Sequence, residues 1–284
     1  MFIADILVSC KSVADKNDSC SVYIEHEENY YGKAMIYNKT SQVIKALQTE
    51  LVYPNGCLHR YVQDDRVLEK TSVAWRPLPD IKFVSGPYPL DVLMHYGNYP
   101  QDILQLRPMA KYAGLQHQNF DRKKLCKKYG FSSNHQNILY ASGGVKEDEE
   151  KLNELIRCVG ARDNVRLYIK AHPSCDLALL KTICSRGDTT KVSIIVEGSI
   201  PELITICDLM VSVHSTVVMD AMVLRKPIML INELEENMPF SSLTSIVTVK
   251  NLQNISHRLD ECLSKDYAKV VDSYHGFISS YMGL

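Results

Sequence analysis

Val165-Arg166-Leu167-Tyr168-Ile169-Lys170-Ala171-His172-Pro173 reads as a short buried strand, β-branched and aromatic, that runs into a polar loop closed by proline. Leu209-Met210-Val211-Ser212-Val213-His214-Ser215-Thr216 repeats the pattern. Working outward, strand-like and helix-like pieces alternate. Ile138 to Ala141 precedes Ser142-Gly143-Gly144, a charged helix is expected over 147–159 and another over 177–185, and Val192 to Val196 forms a strand. A helix near 201–207, one from about Val217 to Leu224, and a strand Ile228 to Ile231 after Lys226-Pro227 complete the series. Such alternation predicts an α/β fold with a doubly wound parallel sheet.

In open sheets of this kind a ligand lies beyond the carboxyl ends of the strands, where helix N-termini present free N–H groups. Lys170-Ala171-His172-Pro173 and His214-Ser215-Thr216 both fall at such ends, which points to an anion and most naturally to phosphate. The His172 imidazole can donate to a phosphate oxygen, Pro173 fixes its loop, and Ser215 and Thr216 are suited to capping the next helix and offering hydroxyls. Each string alone is also an ordinary structural part; their occurrence at two strand ends of one sheet is what carries the expectation.

Composition narrows the classes. The 284 residues, 45% of them hydrophobic, suffice for two domains. A formal charge of -1 argues against a broad basic surface for nucleic acid, and no nucleic-acid partner is expected. The one notable basic run, Arg122, Lys123, Lys124, Lys127 and Lys128, reads as a solvated helix face or as a contact for anionic lipid headgroups or a phosphorylated lipid acceptor. Nine cysteines without a C-x-x-C pair predict neither a zinc site nor a disulfide framework, and fit a reducing cytoplasm. Neither a signal peptide nor a membrane-length apolar run is read, so a cytoplasmic protein, with peripheral membrane association open, is expected.

In the first hundred residues, strands are expected over 21–24, 43–47, 81–85 and 103–106, with helices from Tyr31 to Ile36 and from Leu90 to Tyr96, and 107–112 as a link. Here the chain resembles a known group. Glu28-Asn29-(two residues)-Gly32-Lys33-Ala34, Ala46-Leu47-Gln48, and Pro79-Asp80 with Val84-Ser85-Gly86 are similar to the later half of the N-terminal domain of GT-B-type glycosyltransferases of surface-polysaccharide assembly. Lys170 to Pro173, and Asp208 through Met222 with Lys226-Pro227, resemble strings of capsule and teichoic-acid polymerases, CDP-glycerol glycerophosphotransferases and bacterial sialyl- and Kdo-transferases, and more loosely of nonhydrolysing UDP-N-acetylglucosamine 2-epimerases. The resemblance covers roughly Ser21 to Ile231. It implies two Rossmann-type domains: a partial acceptor-side domain over 1–110, apparently incomplete, and a nucleotide-donor domain over 111–284.

The same resemblance implies that His172, Ser215 and Thr216 hold the donor phosphate, within strings that also contain Lys170, Pro173 and His214. Asp220, where relatives usually carry Glu, would meet the donor ribose or sugar, although a carboxylate one turn into a helix reads equally as an exposed cap partner. Gly143 and Gly144 would let the donor approach the backbone. Many relatives have Q-H-G where this chain has Gln48-Thr49-Glu50, so a histidine is missing. Glu50 or the nearby His59 would replace it as general base, with Glu28 a further candidate that also reads as a helix N-terminal acid. The expected reaction is a metal-independent transfer, without cofactor, of a sugar or polyol phosphate from a CMP, CDP or UDP donor, leaning to cytidine, to a glycan or lipid-linked acceptor. A noncatalytic relative that binds nucleotide or acts as a scaffold is the alternative, and a UDP-sugar epimerase ranks third.

Overall fold

The computed structural model describes residues 21–25, 27, 30–39, 42–48, 52, 77–141, 148–213, 215–232, 239–240, 243–264 and 271–284. The chain divides into two compact units, Met1–Ala110 with Ser279–Leu284, and Lys111–Ile278. The final residues thus group with the first unit.

The first unit holds a parallel four-stranded sheet in the order β1-β2-β3-β4, with β1 Ser21–Ile24, β2 Val43–Ala46, β3 Ile81–Val84 and β4 Leu104–Leu106. Helices α1 (Tyr30–Tyr37) and α2 (Pro87–His95) lie between strands. Alternation along each strand sorts the side chains into two faces. Ile24, Ile44 and Ala46 pack with Ile36 of α1, and Val84 and Leu104 pack with Val92 and Leu93 of α2. Both helices therefore cover one face, as right-handed crossovers in a monotonic strand order require. The other face, formed by Ser21, Tyr23, Val43, Lys45, Ile81, Phe83 and Gln105, has no fully buried member. On it Tyr23 lies 6.4 Å from Phe83 with near-parallel rings, and Lys45 sits over Tyr23.

At the carboxyl end of β3, the Ser85 hydroxyl donates to the carbonyl of Tyr281 (2.6 Å). Gly86 has to be glycine there, because a Cβ would stand 2.5 Å from the Ser280 carbonyl oxygen. The Tyr281 hydroxyl donates to the Val52 carbonyl (2.8 Å) and accepts from its N–H (2.7 Å), so one phenol satisfies both polar groups of a buried residue.

The second unit holds a parallel six-stranded sheet in the order β10-β9-β8-β5-β6-β7. Its strands are β5 Gln136–Ala141, β6 Val165–Lys170, β7 Val192–Ile195, β8 Leu209–Ser212, β9 Ile228–Ile231 and β10 Val247–Val249. Its helices are α3 Ala110–Gln116, whose first residue belongs to the first unit, α4 Arg122–Tyr129, α5 Glu149–Gly160, α6 Leu177–Cys184, α7 Ile200–Ile206, α8 Val217–Val223, α9 Ile255–Cys262 and the short α10 Tyr274–Phe277. All of β8 and β9 is buried, as two-sided cover of a parallel sheet demands. One face packs Ile138, Tyr140, Leu167, Ile169 and Val211 against α5, α6 and α9. The other helix layer joins α4 and α8 through α7. The expected α/β architecture with two parallel sheets is present, and the strand order reverses between β5 and β8, the place where such sheets open a crevice.

Candidate functional site

The strands around the reversal end level. Ala141 at the end of β5 is in register with Lys170 of β6 on one side and Ser212 of β8 on the other. The loops bearing His172 and Ser215-Thr216 thus leave one edge of one sheet, on either side of β5.

Lys170 is held by backbone carbonyls. Its Nζ donates to the carbonyls of Ala171 (2.9 Å) and Val196 (2.7 Å), tying the ends of β6 and β7, and burial lowers its pKa. His172 and Pro173 are exposed just beyond. The backbone N–H of Ser174 donates to His172 Nδ1 (3.2 Å), and the Ser174 hydroxyl stands 2.7 Å from the same nitrogen. A nitrogen that accepts an N–H carries no proton of its own, so the neutral ring holds its hydrogen on Nε2. The turn is closed by Cys175 N–H donating to the His172 carbonyl (2.9 Å) and by Asp176, whose carboxylate caps α6 by accepting from the N–H groups of Ala178 and Leu179.

At the other loop, the Ser212 hydroxyl is fully buried on the last residue of β8 and has no hydrogen-bond partner among the described residues. Ser215 Oγ accepts from Val217 N–H at 3.3 Å. Thr216 stands at the N-cap of α8, but its φ of -62° and ψ of -14° are already helical and its side chain makes no cap bond. The expectation that both residues cap the helix is therefore corrected: only Ser215 makes a local bond of that kind, and Thr216 is already helical where a capping residue has extended backbone angles.

Asp220 is not the exposed cap partner that sequence allowed. It is 1% exposed, its Oδ2 accepts from Lys111 Nζ (2.8 Å), and its Oδ1 is buried without a partner among the described residues. Burial raises its pKa, and Lys111 opposes that shift. The same carboxylate adds to the burial that pushes the Tyr112 phenol up.

Gly143, Gly144, His214, Glu28, Glu50 and His59 lie outside the described residues. Flanking 142–147, the Tyr140 hydroxyl donates to Asp148 Oδ2 (3.0 Å) in a fully buried contact, and α5 opens with Glu149 and Glu150. The structure thus brings Lys170, His172, Pro173, Ser215 and Thr216 to one sheet edge, with Asp220 in the first turn of α8. Sequence reading missed Ser212, whose signal was a hydroxyl ending an otherwise apolar strand, and Lys111, which carried none. It also missed the buried ion pair of Glu27 with Lys82 in the first unit, signalled only by a lysine inside a strand.

No protein-family model matches the chain, and no curated protein matches it. Solved structures do. A glycosyltransferase from Rickettsia africae is 14% identical, with a TM-score of 0.61, over 98% of this chain and 77% of that one. UDP-GlcNAc 2-epimerase from Neisseria meningitidis, bound to UDP-GlcNAc, is 14% identical at a TM-score of 0.65 over 95% and 75%. The wall teichoic acid polymerase TagF, with CDPG, is 12% identical at a TM-score of 0.59 over 94% and 67%. Likeness at this identity is likeness of fold.

Proposed function

We propose that this chain, whose fold is GT-B, binds a nucleotide-activated donor at the β5/β8 reversal and transfers its sugar or polyol phosphate to a glycan or lipid-linked acceptor in surface-polysaccharide synthesis. The observation that carries the reading is the level ending of β6, β5 and β8, with an Nε2–H imidazole following one outer strand and two hydroxyls following the other. An N–H and hydroxyls fixed before reaction stabilise charge as it builds on the departing nucleotide, without reorganisation at that moment. The buried Ser212 hydroxyl and Asp220 Oδ1, without partners among the described residues, are further acceptors for the donor, with Asp220 on the ribose or sugar.

In this reading the general base that takes the acceptor proton is Glu28, Glu50 or His59, the donor is a cytidine or uridine nucleotide, and no metal is required. The likeness to a 2-epimerase supports a second reading, isomerisation of a UDP-sugar. One experiment separates them. Radiolabelled UDP- and CDP-linked donors are incubated with the protein, a glycan or lipid-linked acceptor and EDTA, and the products are resolved by chromatography. Label moving to the acceptor is expected. An isomerised nucleotide sugar would replace the proposal by the epimerase reading, and an untouched donor that nonetheless binds would replace it by a noncatalytic relative.

A further inference from the structure

The opposite edge of the same six-stranded sheet carries a second concavity, a groove of about 1210 Å³ at the amino ends of β5, β8 and β9. Among its lining residues stand five cations, Arg122, Lys123, Lys127, Arg225 and Lys226, against one carboxylate, Asp208. On a chain of net charge -1 that is a local concentration of positive charge.

Part of this charge is structural. Lys226 Nζ donates to the carbonyls of Thr205 (2.8 Å) and Cys207 (3.0 Å) at the end of α7, and Arg122 donates to the Thr205 carbonyl and to Asp208. These two close the carboxyl end of a helix, where cations belong. The remainder has no such duty. Helix α4 sorts its lysines into two stripes of i,i+4 spacing. Lys124 and Lys128 have carboxylates nearby, Asp121 at 3.9 Å and Glu202 at 2.6 Å. Lys123 and Lys127 line the groove, exposed and without a carboxylate partner among the described residues. The fold thus sets carboxylates beside one stripe and, among the described residues, none beside the other.

Arg225 adds a third cation from a separate element. It ends α8 in a turn in which Lys226 N–H donates to the Ala221 carbonyl and Arg225 N–H to that of Met222. Its φ is 55°, a left-handed conformation that glycine would adopt at about 1 kcal/mol less cost. Its contact with Asp272 is between exposed groups and worth little.

We propose that this groove is a second anion site, distinct from the donor site, that takes a phosphate-bearing group through Lys123, Lys127 and Arg225. The group is either the headgroup of an anionic lipid or a soluble phosphate ester, and the two sources separate on test. Inorganic pyrophosphate is titrated calorimetrically into the full chain, into Lys123→Gln/Lys127→Gln and into Lys124→Gln/Lys128→Gln, each also carrying His172→Ala in a parallel series. The first pair should weaken binding about tenfold or more and the second, of equal charge change on the same helix, less than about twofold. Sedimentation with phosphatidylcholine vesicles containing phosphatidate then assigns the source: capture that Lys123→Gln/Lys127→Gln abolishes means a lipid headgroup, and pyrophosphate binding without capture means a soluble ester. Equal weakening by both pairs, or loss of pyrophosphate binding on His172→Ala alone, overturns the proposal.

Discussion

Replacing Lys111 by methionine isolates what its ammonium does for the buried carboxylate of Asp220. The Nζ–Oδ2 distance is 2.8 Å, Asp220 is 1% exposed and Lys111 is 57% exposed. Removing the partner of a hydrogen-bonded buried charge costs about 1.5–3 kcal/mol, and water reaching the lysine side places this pair near the middle, about 2 kcal/mol. For a unit of this size such a loss lowers Tm by about 4–8 °C. The pH dependence follows from the raised pKa of Asp220. Its folded value lies above the unfolded one of about 3.9, so the folded state binds the proton more tightly, and stability is greatest below the unfolded value and falls as pH rises through the folded one. Losing Lys111 raises the folded value further. The cost of Lys111→Met should therefore be smaller at pH 4 than at pH 7. In the Asp220→Asn background it should nearly vanish, giving a coupling of about 2 kcal/mol in the double-mutant cycle. Thermal unfolding followed by circular dichroism at both pH values measures it. A cost that ignores pH and persists in the Asp220→Asn background would mean that Lys111 acts through packing of its stem, and would refute the electrostatic account.

Other perturbations give outcomes as definite. Thr216→Ala should shift stability by less than about 0.5 kcal/mol, since no cap bond is lost, yet weaken nucleotide binding in a calorimetric titration. Ser174→Ala removes the hydroxyl but keeps the N–H that sets the His172 tautomer, so donor affinity should fall only a few-fold, whereas Ser174→Pro, which removes the N–H, should cost more. Tyr281→Phe strips two bonds from the buried Val52 backbone and should cost about 2 kcal/mol, read as faster hydrogen exchange in the first unit with the second unchanged.

The parts of this fold legible in sequence were those written in local pattern. Leu209 to Val211 and Ile228 to Ile231 are apolar without alternation, and proline or hydroxyl residues follow the strands, so both the parallel sheet and the level of its loops could be read from neighbours in the chain. What stayed hidden depends on distance. Lys111 and Asp220 are 109 residues apart, and Tyr281 and Val52 are 229 apart, and no spacing rule links either pair. The start of helix α3 falls in the stretch 107–112 that reads as a link, because Ala110 to Gln116 has no acidic residue in its first turn. Thr216 misleads because residue type signals a cap while backbone angles decide it. The basic run of α4 was legible as a helix face, but not which lysines would find carboxylates, since Glu202 comes from another element.

Calorimetric titration of CMP, CDP, UMP and UDP into the wild-type chain, His172→Ala and His172→Gln, with EDTA throughout, tests the donor-site assignment most directly. A hydrogen bond from Nε2 to a phosphate oxygen is worth about 1.5–3 kcal/mol, which is roughly 10- to 150-fold in Kd. The account predicts selective binding of one base, weakening of that size in His172→Ala, and partial recovery in His172→Gln, whose amide nitrogen reaches the place of Nε2. Binding that is equal in all three proteins, or absent from the wild type, would contradict it.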